Sequence, residues 1–141
     1  MNEVIAGQIA ALLNSQNGLP RAYDSTGVLR SGDDYLFELG ETSQVAAAVE
    51  VRKVQWYQCE VRHLTVHPSA RGRGFGKKLL SRAEDRAKDL GARVLQCTIR
   101  CGNRASESLF AGMGFVRGIS FRNEKTGNRV VVWQKPLSCQ G

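Results

Sequence analysis

The chain has 141 residues, of which 42% are hydrophobic, and it carries a net charge of +7. This length and hydrophobic content suit one domain with its own core, over residues 1–141. No apolar run approaches the roughly 18 residues of a membrane-spanning helix, and Glu3 and Gln8 interrupt the start where a signal peptide would be apolar. We therefore expect a single cytoplasmic domain.

The first half of the chain passes from a helical to an extended pattern. Apolar residues at helical spacing predict a first helix that ends near the turn Gln16-Asn17-Gly18. The stretch after it contains Pro20 but no firm period, which predicts a loop with at most one short helix. The predicted elements are a helix over residues 2–14, a loop over 15–34, and strands over 35–39, 45–54 and 59–66, with a hairpin turn over 40–43.

The second half contains the best-defined helix of the chain. Its apolar residues keep to one face, and Gly91 supplies a stop. The strand after it shows little alternation, as expected for a strand covered on both faces. The predicted elements are a helix over residues 75–90, a strand over 94–99, a helix over 103–113 ending at Gly114, and strands over 115–121 and 129–135, joined by a turn over 125–128.

A glycine-rich turn, Arg71-Gly72-Arg73-Gly74-Phe75-Gly76, lies between the third strand and the helix after it. We call residues 71–76 the glycine turn. Its glycines remove side chains from backbone N–H groups, and a helix start adds roughly half a positive charge behind them. The turn therefore predicts a site for an anion such as a pyrophosphate.

The spacing of the glycine turn excludes two common phosphate loops. A P-loop would need a glycine at position 71 and a hydroxyl residue at position 78. A dinucleotide fingerprint would need a third glycine at position 77 or 79. The pattern that remains is Q/R-x-x-G-x-G/A, which Arg71, Gly74 and Gly76 satisfy.

This pattern closely resembles the acetyl-CoA loop of the GNAT superfamily of N-acetyltransferases. A second segment agrees, since Asn103-x-x-Ser106-x-x-Leu109-Phe110 followed by Gly114-Phe115 resembles the family's N-x-x-A-x-x-L-Y and G-F segment. The order of the predicted elements is also similar to the GNAT fold over residues 34–136. The resemblance implies an α/β (α+β) fold with a central mixed, mostly antiparallel sheet flanked by helices.

The predicted order of elements differs from the GNAT pattern at the N-terminal end. The predicted first helix begins almost at Met1, which leaves no room for the family's usual first strand. The sheet is then either one strand short or completed by a partner chain, as a homodimer would do.

The resemblance implies that acetyl-CoA is the co-substrate. Backbone amides of residues 72–77 would bind the pyrophosphate, with charge-assisted hydrogen bonds from Arg71. The strand edge over residues 64–66 would pair with the pantetheine arm, and an amide there would serve as oxyanion donor. Asn103 would touch the coenzyme arm, cap its helix, or do both. The expected coenzyme-binding residues are Leu64, Thr65, Val66, Arg71, Gly72, Arg73, Gly74, Phe75, Gly76, Lys77, Asn103, Ser106 and Phe110.

Transfer to a primary amine requires a neutral nucleophile, and deprotonating a lysine-like amine at pH 7 costs about 4.6 kcal/mol. By the resemblance, Glu60 is the candidate general base, and the alternative is a carboxylate paired with an arginine. His63 is nearer the acetyl site as a base or relay. Glu60 and His63 lie an odd number of positions apart, so their side chains would point to opposite faces of a regular strand and only one of them would reach the acetyl site. A bulge in the strand would remove this restriction. His67 is the weaker histidine candidate, with a solvated loop position as its alternative.

Phe110 stands where the family usually has a tyrosine that acts as general acid. Phenylalanine has no proton to donate. Ser106, one turn away, is a poor acid, and the sequence does not place Tyr23, Tyr35 or Tyr57 relative to the thiolate. Water is the remaining donor and suffices for a thiolate that leaves readily. Two hypotheses follow. The first is an N-acetyltransferase that moves an acetyl group from acetyl-CoA directly to a primary amine of a protein or a small molecule, without a metal ion. The second is a catalytically weak acyl-CoA-binding sensor or interaction module.

The four cysteines, at positions 59, 97, 101 and 139, lack metal-ligand spacing and predict buried, reduced thiols. The positive charge could favour nucleic acid, but basic residues cluster at Arg71, Arg73, Lys77 and Lys78, where an anionic coenzyme would need them. The expected partners are therefore acetyl-CoA and an amine acceptor, without a membrane or a nucleic acid.

Overall fold

The computed structural model describes residues 1–17, 19 and 22–137. The helices are α1 (Glu3–Gln16), α2 (Ser25–Arg30), α3 (Phe75–Asp89) and α4 (Arg104–Gly112). The strands are β1 (Tyr35–Leu39), β2 (Val45–Gln55), β3 (Gln58–Val66), β4 (Val94–Arg100), β5 (Val116–Arg122) and β6 (Arg129–Pro136). No helix within the described part of the chain is long and apolar enough to cross a membrane.

The strands form a six-stranded sheet in the order β1-β2-β3-β4-β6-β5. Strands β3 and β4 pair in parallel, whereas β1 with β2, β4 with β6, and β5 with β6 pair antiparallel. Because three of these four pairs are antiparallel, the expectation of a mixed, mostly antiparallel sheet with helices is confirmed.

Local sequence signals account for most element boundaries. Asn2 caps α1 by accepting a hydrogen bond from the Ile5 N–H at 2.9 Å. Asp24 caps α2, the short helix within the loop expected over residues 15–34, by accepting from the Gly27 N–H at 2.6 Å. Gly91, with φ of 85°, supplies the left-handed residue that ends α3. The expected turn residue Gly18 and the loop residue Pro20 lie outside the described residues.

The described residues fall into two compact units. The first comprises Met1–Val51 and His63–Ala83, and the second comprises Arg52–Arg62 and the chain from Glu84 onward. A core of α1, α2, β1 and β2 fills part of the first unit, with members that include Ile9, Leu13, Val28 and Ala48. Each unit is therefore described by its own contacts.

In the first unit, ion pairs and hydrogen bonds attach the beginning of α3 to β1. The guanidinium of Arg82 donates to the carbonyl of Phe37 at 2.8 Å and to Glu38 Oε1 at 2.9 Å. Lys78 Nζ lies 3.4 Å from the other carboxylate oxygen of Glu38. The glycine turn leads directly into α3, and these contacts hold α3 against β1.

In the second unit, β4 alternates between buried and open positions. Leu95, Cys97 and Ile99 are buried, whereas Thr98 is exposed and Gln96 accepts a hydrogen bond from the exposed Gln134 side chain at 2.8 Å. The expectation of a strand covered on both faces is therefore wrong, because one face of β4 carries polar side chains that solvent reaches.

Cys59 and Cys97 are free, buried thiols, as expected. Burial raises the pKa of Cys97 to about 12, and the negative charge of Glu60 adds to this rise. The expectation of burial is wrong for Cys101, which is exposed because it follows β4 in the turn that leads to α4. Cys139 lies outside the described residues.

Candidate functional site

The glycine turn presents a row of open hydrogen-bond donors. Within residues 71–78, all of which are described, the first backbone hydrogen bond runs from the Lys78 N–H to the Gly74 carbonyl at 3.0 Å. The N–H groups of residues 72–77 therefore have no backbone acceptor among the described residues. Such groups at a helix start carry partial positive charge and bind anions.

Two glycines give the turn its shape. Gly72 and Gly74 have φ of 78° and 81°, a left-handed conformation that strains any residue with a side chain. A Cβ atom at either position would meet no heavy atom within 4 Å. The space beside both glycines is therefore open, and the turn fits an anionic group such as a pyrophosphate.

The two arginines of the turn contact neighbouring polar side chains. Arg71 donates to Gln16 Oε1 at 2.9 Å, and Arg73 lies 3.3 Å from Glu41 in the β1–β2 turn. The Arg73 and Glu41 side chains are more than half exposed, so this ion pair is weak. Both guanidinium groups remain accessible to a phosphate that competes for them.

Strand β3 changes direction where the coenzyme arm was expected. It pairs with β4 over three positions, from Gln58↔Val94 to Glu60↔Gln96. Both strands continue beyond this pairing, β3 to Val66 and β4 to Arg100. His63 has a φ of 55°, which is rare for a residue with a side chain. The parity argument against presenting both Glu60 and His63 therefore does not hold, because the strand is irregular at His63.

The Thr65 side chain stabilises this irregular segment. Thr65 is 5% exposed, its hydroxyl donates to the His63 carbonyl at 2.6 Å, and it accepts from the Asn17 side chain at 2.9 Å. Its hydroxyl is thus engaged in the protein, and a ligand would have to use backbone groups of residues 64–66.

The candidate bases have different surroundings. Arg62 forms an ion pair with Glu60, with the Arg62 Nε 3.0 Å from Glu60 Oε1. This is the carboxylate–arginine pair given above as the alternative to a general base. His63 is exposed, and its ring packs edge to face on Tyr23 with centroids 5.8 Å apart. His67 Nδ1 accepts from the Ser69 N–H at 3.1 Å and thereby caps the turn that follows β3.

The second sequence motif lies in the second unit. Asn103 caps α4, because its side chain accepts from the Ser106 N–H at 3.3 Å. Phe110 is 4% exposed and packs edge to face on Phe115, with centroids 4.9 Å apart. Residues His63, 64–66 and 71–77 belong to the first unit, whereas Glu60, Asn103, Ser106 and Phe110 belong to the second.

The structure brings together two further candidate functional residues that the sequence analysis did not assign to the site. Glu50 lies on β2 and is buried at 4% exposure, and the Tyr23 hydroxyl is 3.4 Å from its Oε2 atom. The signal for Glu50 was available, since it is the one charged residue in the apolar run over residues 45–51. Tyr23 had no such signal, because its segment follows no period.

Known proteins are similar to this chain over most of its length. The acetyltransferase (GNAT) family model matches residues 10–115. The chain belongs to the GNAT acetyltransferase family. The L-amino acid N-acyltransferase MnaT of Escherichia coli is 38% identical over 80 residues, which are 56% of this chain and 46% of that protein.

A second relative of this GNAT protein is the L-methionine sulfoximine/L-methionine sulfone acetyltransferase of Salmonella typhimurium. It is 30% identical over 104 residues, which are 74% of this chain and 48% of that protein. The chain thus spans about half the length of these curated relatives. The solved structure of yncA from Salmonella typhimurium with its cofactor acetyl-CoA is 22% identical, with a TM-score of 0.82, and the match covers 98% of this chain and 91% of that one.

Proposed function

We propose that this GNAT protein is an acetyl-CoA-dependent N-acetyltransferase that transfers the acetyl group directly to a primary amine, without a metal ion. The observation that carries the proposal is the row of N–H groups at the start of α3, over residues 72–77, for which the described part of the chain offers no backbone acceptor. The relatives agree with it, since both are named as enzymes that acylate or acetylate amino acids or their analogues. We propose that the chain does this as one cytoplasmic domain.

In this proposal, the glycine turn binds the pyrophosphate of the coenzyme. Amides of residues 72–77 donate to its oxygens, and Arg71, Arg73 and Lys77 contribute positive charge. Backbone groups of residues 64–66 pair with the pantetheine arm, and an N–H at Leu64 or Thr65 donates to the thioester oxygen as it becomes negative. By the family resemblance, we also propose Asn103, Ser106 and Phe110 as coenzyme contacts.

Of the two expected bases, we propose that His63 lines the route of the acceptor amine and that Glu60 is structural. His63 is exposed and directly precedes Leu64, where the thioester carbonyl would lie. Glu60 has its Oε1 atom 3.0 Å from Arg62, so its charge is already neutralised by a neighbour.

The test is to incubate the full chain with acetyl-CoA and a panel of primary amines, and to measure acetylated products by mass spectrometry. Thiol reagents are unsuitable for this assay, because the exposed Cys101 would react with them. We expect saturable acetyl-CoA binding and acetylation of at least one class of amine. If acetyl-CoA does not bind, the proposed function is wrong.

The second candidate function is the catalytically weak acyl-CoA-binding module. The observation that favours it is Phe110, which is buried against Phe115 and has no proton to donate. In that case acetyl-CoA would bind and raise the melting temperature, but no amine in the panel would be acetylated.

We also propose that the protein forms a homodimer through β5. This strand is at the edge of the sheet, and all its side chains are exposed, including the apolar Val116, Ile119 and Phe121. An exposed apolar edge strand tends to pair with another chain. Light scattering after size exclusion should give twice the chain mass, and Ile119→Lys should give the single mass.

A further inference from the structure

Among the described residues, Glu50 differs from the other buried glutamate in having no cation paired with it. Glu50 is 4% exposed and Glu84 is 9% exposed. Glu84 is neutralised by Lys135, whose Nζ lies 2.8 Å from its Oε1 atom. None of the ion pairs among the described residues involves Glu50. A buried carboxylate without a cation costs stability, so a role other than folding must be considered.

Tyr23 is the polar neighbour of Glu50, and its backbone is firmly held. The Tyr23 hydroxyl lies 3.4 Å from Glu50 Oε2. The Asn14 side chain donates to the Tyr23 carbonyl and accepts from the Tyr23 N–H, both at 2.8 Å. These two bonds fix the position of Tyr23 relative to α1.

Aromatic side chains surround this pair. Tyr35 is directly opposite Glu50 in the β1–β2 register, and its ring packs edge to face on Tyr23 at 6.1 Å. The exposed His63 ring packs on Tyr23 at 5.8 Å. Among the residues that the structure describes, the titratable groups that face Glu50 or its partner are therefore Tyr23, Tyr35 and His63. The arrangement leads from an exposed histidine, through a half-buried tyrosine, to a buried carboxylate.

We propose that Tyr23 and Glu50 form the binding site for the ammonium group of the acceptor and remove its proton. This inference rests on the proposed function and extends it to the acceptor side. The Tyr23 hydroxyl contacts the amine, and Glu50 accepts the proton through Tyr23. His63 keeps the Tyr23 ring in place and lines the route to it. Hydrogen bonds of this kind are often long in the free enzyme and shorten when the substrate binds.

The proton balance of the relay is simple. One N–H proton of the ammonium group moves to the Tyr23 oxygen while the Tyr23 hydroxyl proton moves to Glu50. The amine becomes neutral, Tyr23 is again a neutral phenol, and Glu50 is a neutral acid. The amine then forms a bond to the acetyl carbon, the carbon–sulfur bond breaks, and the second nitrogen proton goes to the leaving thiolate.

The buried negative charge also defines the class of acceptor. Glu50 attracts an ammonium group and repels a carboxylate on the adjacent carbon, and the apolar surroundings strengthen both effects. The acceptor is therefore a primary amine without an α-carboxylate, such as a peptide N-terminus, a lysine side chain or a polyamine. Free amino acids are poorer acceptors.

The first test compares the pH profiles of Glu50→Gln, Tyr23→Phe and Glu60→Gln with that of the wild-type enzyme. Loss of the relay lowers the rate about 100-fold near neutral pH. As the pH rises, the neutral amine becomes abundant in solution. The ratio of the wild-type rate to the variant rate should therefore fall about tenfold per pH unit. Glu60→Gln keeps the wild-type profile. If Glu50→Gln follows the wild-type profile in an active enzyme, the inference is wrong, whereas an inactive wild-type enzyme contradicts the proposed function itself.

The second test measures melting temperatures without ligand, which separates a functional from a structural carboxylate. Glu50→Gln should leave the melting temperature unchanged or raise it, because it removes an uncompensated buried charge. Glu84→Gln is the matched control and should lower it, because Lys135 loses its partner. A loss in Glu50→Gln as large as that in Glu84→Gln would overturn the inference.

The third test uses methionine and methioninamide, which differ only at the α-carboxylate. We expect kcat/KM to be about tenfold higher for methioninamide at an alkaline pH where both amines are neutral, and the ratio to shrink in Glu50→Gln, because the repulsion of the α-carboxylate then distinguishes the two acceptors. Calorimetry of methioninamide in the presence of CoA should show weaker binding to Glu50→Gln. A preference for methionine, or equal binding of methioninamide to both proteins, would overturn the inference.

Discussion

Arg62 Nε lies 3.0 Å from Glu60 Oε1, and both side chains are partly buried, with 32% and 22% exposure. We therefore expect Glu60→Gln to act on stability rather than on catalysis. The free energy of unfolding should fall by about 0.5 to 1 kcal/mol, because the charge-assisted hydrogen bond is weakened in a partly solvated site. The rate of acetylation should stay within about twofold of wild type between pH 6 and 9.

The matched control for this prediction is Arg62→Gln, which breaks the same pair from the other side and should lower stability to a similar extent. A rate loss of tenfold or more in Glu60→Gln, recovering at high pH, would instead identify Glu60 as the base.

Gly74→Glu should abolish the rise in melting temperature that acetyl-CoA causes. A glutamate here places bulk and negative charge where the amides of the glycine turn point, and a phosphate would be repelled. The measurement is thermal unfolding with and without saturating acetyl-CoA.

Gly91→Glu is the control for Gly74→Glu. Gly91 has nearly the same φ, 85° against 81°, and a Cβ atom there also meets no atom within 4 Å. Both variants should lose stability from the strained backbone, about 1 kcal/mol each. Only Gly74→Glu should lose the effect of acetyl-CoA, and retention of that effect would contradict the assignment of the turn.

Cys97 should make the protein less stable at alkaline pH. Burial, with a contribution from Glu60, raises the pKa of this thiol from 9.0 to about 12. Between these values the unfolded chain has lost the thiol proton and the folded chain has kept it. The stability contributed below pH 9 is therefore lost as the pH rises towards 12, by about 1.4 kcal/mol per pH unit.

The check is the difference in unfolding free energy between wild type and Cys97→Ala across this range. At pH 8 the protonated Cys97 side chain fills the core of the wild-type protein, so its advantage in unfolding free energy over Cys97→Ala should be largest there. This advantage should become smaller above pH 9. Cys101→Ala should show no such trend, because Cys101 is exposed.

Sequence patterns predicted the elements well wherever the signal was local. The bounds of β1 match at Tyr35–Leu39, and α3 begins at Phe75 and ends before Gly91, as its apolar face and its stop residue indicate. The glycine turn was equally readable, because glycine itself marks the positive φ at positions 72 and 74. Its assignment as a coenzyme site stays a proposal.

The acceptor side could not be predicted in the same way. His63 adopts a positive φ although its side chain gives no hint of it, so strand parity failed at that point. The position of Tyr23 depends on Asn14, nine residues earlier, and on Glu50, 27 residues later. Contacts between distant parts of the chain leave no periodic pattern. Glu50 was the exception, since a charge within an apolar strand is visible in the sequence.

Glu41→Gln should increase the affinity for acetyl-CoA. Glu41 lies 3.3 Å from Arg73 and is 87% exposed at its side chain, so it competes with a phosphate for the guanidinium without stabilising the fold appreciably. Removing its charge should lower Kd about two- to threefold at low ionic strength, and the gain should disappear above about 0.5 M salt, where exposed charges are screened. Lys53→Gln, in the second unit, is the control for a surface charge change and should leave Kd unchanged. An equal affinity of wild type and Glu41→Gln at low salt would show that Arg73 does not contact the coenzyme.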